Sequence, residues 1–149
     1  MKKIIITLLA LFMPLFAMAY TPNPEYWEWY YSNGNYGYFI QTPSIKMIKI
    51  DEHNTAYRAN IQVVSATNNF MNVGNGAKFM TARVEVVEDS YTGDVFFQFL
   101  EGAIYTENRK LVQVIPNKDK RKIRIRPEIM PWRIYEMIIK TYNRQTMEH

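Results

Sequence analysis

A strict two-residue alternation of side-chain type is the feature that most restricts the fold of this chain. Apolar and aromatic residues alternate with polar ones over seven consecutive positions: Tyr57, Ala59, Ile61 and Val63 against Arg58, Asn60 and Gln62. Successive side chains of a β-strand point to opposite faces, so the pattern predicts a strand with one buried face and one face toward water. Antiparallel sheets commonly have one solvated face. The segment therefore predicts an antiparallel sheet.

Alternation of this kind recurs along most of the chain. Further strands are predicted at 26–31, 36–40, 45–50, 82–87, 95–105, 111–115 and 122–126. Turns rich in Asn, Gly, Pro and Asp separate them, for example at 33–35 and 116–119. The strand that starts at Val95 is predicted to bend near Gly102, where a bulge costs least. In the last strand, Ile123 and Ile125 are expected to face inward.

The periodicity changes near the C-terminus. Pro131 suits the first turn of a helix, where its missing N–H is not needed. An apolar stripe then predicts an amphipathic helix of about three turns, followed by a frayed tail from Asn143. The stripe consists of Ile134, Tyr135, Ile138, Ile139 and Tyr142. The predicted fold class is α+β: an antiparallel, meander-like sheet of about six to eight strands, flat or curled, with one C-terminal helix packed on it.

The first nineteen residues have the anatomy of a secretory signal peptide. Lys2 and Lys3 precede an apolar run over 4–12, and Ala17-Met18-Ala19 forms a small-x-small cleavage site. Cleavage there predicts Tyr20 as the mature N-terminus and one exported domain over 20–149. The apolar run is shorter than the roughly 20 residues of a membrane span, so no transmembrane segment is expected after cleavage. Periplasm, cell surface and medium are all compatible with this prediction.

The chain contains no cysteine, which restricts both its chemistry and its anchoring. A disulfide framework, a thiol nucleophile and a Cys-based metal site are excluded, and a lipoprotein is not expected. Of the two histidines, His149 is the last residue and His53 lies in the polar turn Asp51-Glu52-His53-Asn54. That turn could supply a general base, but a solvated turn is the better interpretation. We therefore expect a non-enzymatic protein without a metal or cofactor.

Basic side chains are concentrated late in the chain. Eight Lys and Arg residues lie between 109 and 126. Lys122, Arg124 and Arg126 alternate along a predicted strand and are expected to face water, where they could contact an acidic macromolecule. An ordinary solvated strand face is the alternative. Nucleic acid is not expected as a partner, because the chain carries no recognisable nucleic-acid-binding motif.

Aromatic side chains are concentrated in the first predicted hairpin. Trp27 and Trp29 are expected to pack beneath the helix, which leaves Tyr26, Tyr30 and Tyr36 partly exposed. Exposed Tyr and Trp are favoured in contact surfaces and can also stack on sugar rings, so these tyrosines are candidate partner-binding residues. Alternatively, cross-strand aromatic pairs only stabilise the sheet.

The order of several short motifs resembles a known family. The motifs are Trp27-Glu28-Trp29-Tyr30, the stretch 38–45, the stretch 105–111 and Pro131-Trp132-Arg133-Ile134-Tyr135. Over residues 25–142 the chain resembles the small exported bacterial proteins grouped with surface-adhesin protein E. The resemblance implies an antiparallel sheet with a helix on it, binding of host extracellular proteins, and dimers. Adhesin-type members carry a lipid anchor and cysteines, which this chain lacks.

The leading functional prediction is an exported binding module that contacts a protein or another macromolecule and forms a homodimer as the resemblance implies. The first alternative is a periplasmic accessory or structural protein of the cell envelope. The second is a small-ligand carrier, which needs an apolar cavity. In a carrier, four apolar side chains of the late strands would line a void instead of packing in the core: Phe97, Phe99, Val112 and Val114.

Overall fold

The computed structural model describes residues 20–115 and 122–149. The predicted signal peptide, the turn at 116–119 and the basic residues Lys118, Lys120 and Arg121 lie outside the described residues. In the described part, the strands are β1 (Glu28–Ser32), β2 (Tyr36–Ile40), β3 (Lys46–Lys49), β4 (Asn54–Ser65), β5 (Ala77–Asp89), β6 (Val95–Thr106), β7 (Leu111–Ile115) and β8 (Ile123–Ile125). The α-helix α1 spans Met130–Met147, and short 3₁₀ turns lie at Thr42–Ser44 and Phe70–Asn72.

All eight strands belong to one open antiparallel sheet. Its order is β1-β2-β4-β5-β6-β7. Strand β3 pairs with β4 beyond the end of β2, and β8 pairs with β6 beyond the end of β7. Three long central strands are thus flanked on each side by two short strands in tandem. The predicted α+β class, with an antiparallel sheet and a single C-terminal helix, is confirmed.

One face of the sheet is apolar and packs against α1. The register places seven fully buried side chains of β4, β5 and β6 on this face: Ala59, Ile61, Val63, Met80, Val84, Val86 and Phe97. From α1, Ile134, Met137 and Ile138 are buried against them. Each large apolar side chain removed from water in this way contributes about 1.5–3 kcal/mol.

Helix α1 is longer than the sequence predicts. It continues through Asn143, where fraying was expected, to Met147. Tertiary contacts stabilise these last turns: the Arg144 guanidinium pairs with the Glu28 carboxylate, and Gln145 Nε2 donates to the Thr42 carbonyl oxygen at 3.3 Å. These partners lie more than a hundred positions earlier in the chain, so a local pattern does not reveal them.

Strand β6 bends two residues before the predicted point. Phe99 lies opposite Val84 and Glu101 lies opposite Arg83, so Leu100 is the extra residue of a β-bulge. Gly102 lies opposite Ala82, and a Cβ at this glycine would approach the Ala82 Cβ to 2.9 Å. Glycine is therefore required by a close approach between β5 and β6.

The prediction that Trp27 and Trp29 pack beneath α1 is wrong. The side chain of Trp29 is 58% exposed, and its indole N–H donates to Ser32 Oγ at 2.8 Å. Trp27 and Trp29 lie on the sheet face opposite the helix. A bulge in β1 at Tyr30 is the reason, because it breaks the two-residue alternation after Trp29.

Two tyrosines take the place predicted for the tryptophans. The Lys140 ammonium lies 5.9 Å from the ring centroid of Tyr30, and the Arg133 guanidinium lies 5.0 Å from that of Tyr31. Both rings pack against the core. Cation–π contacts of this kind contribute about 0.5–1 kcal/mol at exposed sites.

The apolar side chains of the late strands follow the prediction in part. Ile125 is buried, but Ile123 is 62% exposed because it belongs to a three-residue strand at the sheet edge. Phe97 and Phe99 form a T-shaped pair with centroids 4.8 Å apart and pack with Val112 into the core. Val114 is 57% exposed. Phe97, Phe99 and Val112 therefore pack in or against the core and do not line a void.

Candidate binding groove

The sheet face opposite α1 carries the N-terminal segment, defined here as residues 20–27. A turn directs this segment onto the sheet: Asn23 Oδ1 accepts the Glu25 N–H at 3.0 Å, and the Asn23 carbonyl oxygen accepts the Trp27 N–H at 2.9 Å. Asn favours such turns because its short side chain bonds to backbone groups two residues on. Pro22, which precedes the turn, is buried.

Three aromatic rings form a stacked ladder on this face. The ring of Tyr20 lies 4.1 Å from that of Phe79 with 3° between their planes. The ring of Phe79 lies 5.3 Å from that of Tyr105 with 23° between their planes. Phe79 and Tyr105 are cross-strand neighbours of β5 and β6, so the sheet register itself places two of the three rings.

Polar side chains of the central strands flank the ladder. Gln62 is buried, and its Nε2 donates to Tyr20 Oη at 3.1 Å and to Thr81 Oγ1 at 3.0 Å. Burial raises the pKa of the Tyr20 phenol, while the hydrogen bond with Gln62 and the charge of Arg109 partly oppose that shift. The phenol is therefore neutral at physiological pH and fixes the segment through a neutral hydrogen bond.

Two neighbouring depressions open beside the ladder, and we call them together the Trp27 groove. They have volumes of about 310 and 400 Å³ and share Trp27, Thr81 and Tyr105 as lining residues. The first depression is also lined by Tyr20, Asn23, Tyr26, Gln62, Phe79 and Arg109. The second is also lined by Gln41, Asn60, Ala82, Arg83, Glu101, Gly102 and Ala103. Their sizes lie in the range of small-ligand sites in proteins.

A third depression is also lined by Trp27. Its volume is about 410 Å³, and it shares Tyr26 and Trp27 with its neighbour. The remaining lining residues come from the N-terminal segment, β1 and the 3₁₀ turn after β2: Pro24, Glu25, Glu28, Trp29, Thr42 and Pro43. Trp27 thus lies where all three depressions meet.

The second depression has a neutral polar lining. Asn60 Nδ2 donates to Gln41 Oε1 at 2.8 Å, and this is the one side-chain hydrogen bond of either amide in the described chain. Each amide therefore retains donor or acceptor capacity toward a ligand. The nearby charges of Arg83 and Glu101 pair with each other at 3.4 Å. The lining can donate and accept hydrogen bonds without presenting an unpaired charge.

Arg109 lines the first depression and belongs to the turn that joins β6 to β7. Its backbone adopts a left-handed conformation with φ of 63°, and its N–H donates to the Thr106 carbonyl oxygen at 2.9 Å. Over residues 20–115 and 122–149, its guanidinium has no hydrogen-bond or ion-pair partner. The groove therefore has a free positive charge among its lining residues.

The predicted partner-binding residues lie in three separate regions: the groove, the helix side of the sheet and the region of β8. Tyr26 is 57% exposed and lines the groove. Tyr30 and Tyr36 lie on the helix side of the sheet, where Tyr36 packs edge-on against Phe70 with centroids 5.8 Å apart.

The basic members of the predicted set lie farther along the central strands, in and beside β8. Lys122 Nζ lies 3.7 Å from the buried Glu85 carboxylate, and Arg124 pairs with Asp94 at 2.6 Å. Arg126 follows β8 and is exposed. Tyr26 is the one residue of the predicted set that lines the Trp27 groove, and Lys122 and Arg124 are already engaged in ion pairs.

The groove includes residues that sequence reasoning did not single out. Gln62 and Asn60 belong to the predicted strand with one polar face, but the pattern alone does not show which aromatic rings lie near them. Tyr105 was not singled out, and Arg109 was noted only as the first of the eight basic residues between 109 and 126. In the parts of the chain that the structure describes, no cluster of three or more His, Cys, Asp or Glu could hold a metal ion. The same residues include no helix long and apolar enough to cross a bilayer.

Comparisons with known proteins identify no relative. No protein-family model matches the chain. Neither the curated proteins nor the solved structures include a significant match. The resemblance to surface-adhesin protein E stays a prediction from its short motifs.

Proposed function

We propose that this chain is an exported, non-enzymatic binding protein that holds a macromolecular ligand in the Trp27 groove. The proposal rests on one observation: aromatic rings, neutral amides and a free guanidinium line two adjoining depressions on the sheet face opposite α1. Tyr, Trp and Arg carry a large share of binding energy at interfaces, where they act as anchors in desolvated pockets. An adhesin-like contact with a host or envelope macromolecule fits this composition.

Export is part of the same proposal. Removal of a signal peptide after Ala19 leaves Tyr20, whose ring stacks on Phe79, as the first residue of the mature protein. Expression of the whole chain in a bacterial host, followed by intact mass measurement, tests this step. A mass that corresponds to a chain starting at Tyr20, recovered outside the cytoplasm, supports export. A full-length chain in the cytoplasm contradicts it.

A pull-down tests the binding role. The protein, expressed with its native leader, is immobilised and exposed at physiological salt to envelope extract and, separately, to host matrix proteins. Trp27→Ala removes the residue common to all three depressions. Tyr91→Ala is the matched control, because Tyr91 is 82% exposed and lines none of them.

We expect saturable capture by the native protein and by Tyr91→Ala, and loss of capture by Trp27→Ala. Unfolding midpoints are measured for all three proteins so that a folding defect is recognised. Equal capture by the three proteins, or capture by none, argues against the proposal.

A second candidate function is an envelope accessory protein that accepts a strand from its partner. Within the described sheet, β7 pairs only with β6, and its side chains Leu111 and Val114 are more than half exposed. An unpaired strand edge can accept an extended segment of another chain. Capture that is lost in Val114→Lys but retained in Trp27→Ala favours this alternative, since a charge on an edge strand opposes further pairing.

A further inference from the structure

We propose that the ligand of the Trp27 groove is an acidic oligosaccharide, whose sugar rings lie against Trp27 and Tyr105 and whose anionic group pairs with Arg109. This inference rests on the proposed binding function and names the chemical class of its ligand. Three features of the groove carry it: the arrangement of the rings, the neutral polar lining and the single free charge.

The rings provide a platform for sugar faces. Phe79 is 4% exposed, since Tyr20 and Tyr105 lie on either side of it, so it supports the ladder and is itself inaccessible. Trp27 and Tyr105 are only half-buried, and both line each of the two depressions. Such rings combine a large apolar face with a polar edge, which matches the C–H face and hydroxyl edge of a pyranose ring.

The polar lining suits hydroxyl groups. Gln41 and Asn60 contribute amides with unused capacity, and Thr81 contributes a hydroxyl. Amides and hydroxyls both donate and accept hydrogen bonds, as sugar hydroxyls do. A neutral lining of this kind binds sugars without the cost of leaving a buried charge unpaired.

An extended peptide fits the groove less well. Peptides that bind sheets usually add a strand to an edge, where backbone groups are free to form a ladder. The second depression instead lies over the middle of the sheet, where Asn60 on β4 is paired with Arg83 on β5 and Ala82 on β5 is paired with Gly102 on β6. The backbone groups there are already engaged, so recognition depends on side chains.

The charge at the groove selects an acidic sugar. Arg83 and Glu101 neutralise each other at the second depression, whereas the Arg109 guanidinium at the first has no partner in the described chain. A guanidinium binds a carboxylate or sulfate through paired N–H groups, in a geometry that an ammonium does not reproduce. The ligand is therefore expected to carry an anionic group beside the sugar ring that lies against Tyr105, since Tyr105 and Arg109 line the same depression.

A glycan array tests the proposal. The labelled mature protein is applied to immobilised neutral, uronate-containing, sialylated and sulfated oligosaccharides, and the best binder is then titrated by calorimetry. We expect retention by one acidic class. Arg109→Gln should weaken that binding by roughly 10- to 100-fold, the usual range for loss of a charge-assisted hydrogen bond. Tyr105→Ala should abolish it.

Lys110→Gln is the matched control. Lys110 belongs to the same turn as Arg109 and has the same charge, but it does not line the groove. Binding should be nearly unchanged in this variant. Equal losses in Lys110→Gln and Arg109→Gln would indicate unspecific attraction and overturn the proposal, as would retention of neutral sugars alone.

The outcome also separates this inference from the proposed function. If no glycan is retained, but the pull-down captures a protein through Trp27, the carbohydrate proposal is wrong and the binding role stands. If no glycan is retained and capture in the pull-down does not depend on Trp27 either, both are wrong.

Discussion

The phenol ring of Tyr20 lies parallel to the phenyl ring of Phe79, with centroids 4.1 Å apart. This contact joins the first described residue of the chain to the beginning of the long strand β5, of which Phe79 is the third residue. It holds the N-terminal segment on the sheet face opposite α1, and so forms one wall of the Trp27 groove. The turn at Asn23 and the stack of Tyr20 on Phe79 therefore both help to form the candidate site.

Replacement of Tyr20 by alanine should destabilise the protein as well as open the groove. Stacked aromatic pairs contribute about 0.5–1.5 kcal/mol beyond the area that they bury, so we expect a loss of about 1–3 kcal/mol in the free energy of unfolding. Tyr20→Phe keeps the ring and removes only the hydrogen bond with Gln62, so its loss should be about 1 kcal/mol. Urea denaturation measures both, and intact masses verify that the leader has been removed.

Tyr91→Ala is the control for this series, because Tyr91 is 82% exposed. Its free energy of unfolding should match that of the native protein within about 0.5 kcal/mol. A Tyr20→Ala variant as stable as this control would show that the N-terminal segment is not held by the stack.

Gly102 should not tolerate a side chain. A Cβ at this position would lie 2.9 Å from the Ala82 Cβ and 3.1 Å from the Thr81 carbonyl oxygen, inside the pairing of two central strands. Because the neighbouring backbone must move, we expect Gly102→Ala to lower the free energy of unfolding by about 1–3 kcal/mol. At Gly34, a Cβ would meet no atom within 4 Å, so Gly34→Ala is the matched control. Equal denaturation midpoints for the two variants would contradict the close approach.

Two arginines on the same sheet face should differ in their effect on stability. Arg58 Nε lies 2.6 Å from a Glu85 carboxylate whose side chain is 7% exposed, whereas Arg83 lies 3.4 Å from an exposed carboxylate of Glu101. Arg58→Ala leaves a buried carboxylate with only Lys122 nearby, at 3.7 Å, and should cost about 1–3 kcal/mol. Arg83→Ala removes a surface pair and should change the free energy of unfolding by less than about 1 kcal/mol. Chemical denaturation measures the free energy of unfolding of both variants. Similar losses in the two variants would show that burial of the Glu85 carboxylate does not increase the contribution of its ion pair to stability.

The sequence predicts the sheet well because alternation is a local property. The two faces of β4 follow directly from Ile61 and Gln62 and their neighbours, and the C-terminal helix follows from its apolar stripe. Bulges are where this reasoning fails. The extra residue Tyr30 in β1 moves Trp29 to the uncovered face, and no residue type at that position signals it.

The groove depends on relationships that a single segment does not contain. Phe79 and Tyr105 meet because β5 and β6 pair in one particular register, and Tyr20 joins them by folding back across the sheet. The sequence shows a hairpin rich in tyrosine, and Tyr26 was predicted from it as an exposed contact residue. The sequence pattern could not distinguish Tyr26 from Tyr36, which the register places on the helix side.

Stability should fall at alkaline pH, and Tyr135 should account for part of that fall. Its hydroxyl donates to Glu88 Oε1 at 2.6 Å, and burial, together with this hydrogen bond and the Glu88 charge, raises the pKa of the phenol well above its ordinary value of 10.0. The unfolded chain therefore releases this proton at lower pH than the folded protein does. The stabilising contribution of Tyr135 is fully present below about pH 10 and is lost as pH rises toward the folded-state pKa.

Urea denaturation between pH 8 and about 11.5 measures this contribution. Tyr135→Phe cannot ionise at this position, so its free energy of unfolding should decline less steeply with pH than that of the native protein. Burial also raises the pKa of Tyr20, Tyr38 and Tyr57, so the variant should retain a residual decline. Tyr91→Phe is the control, because its phenol is 82% exposed, and it should follow the native pH dependence. Identical slopes for Tyr135→Phe and Tyr91→Phe would show that the bond between Tyr135 and Glu88 does not couple folding to the ionisation of this phenol.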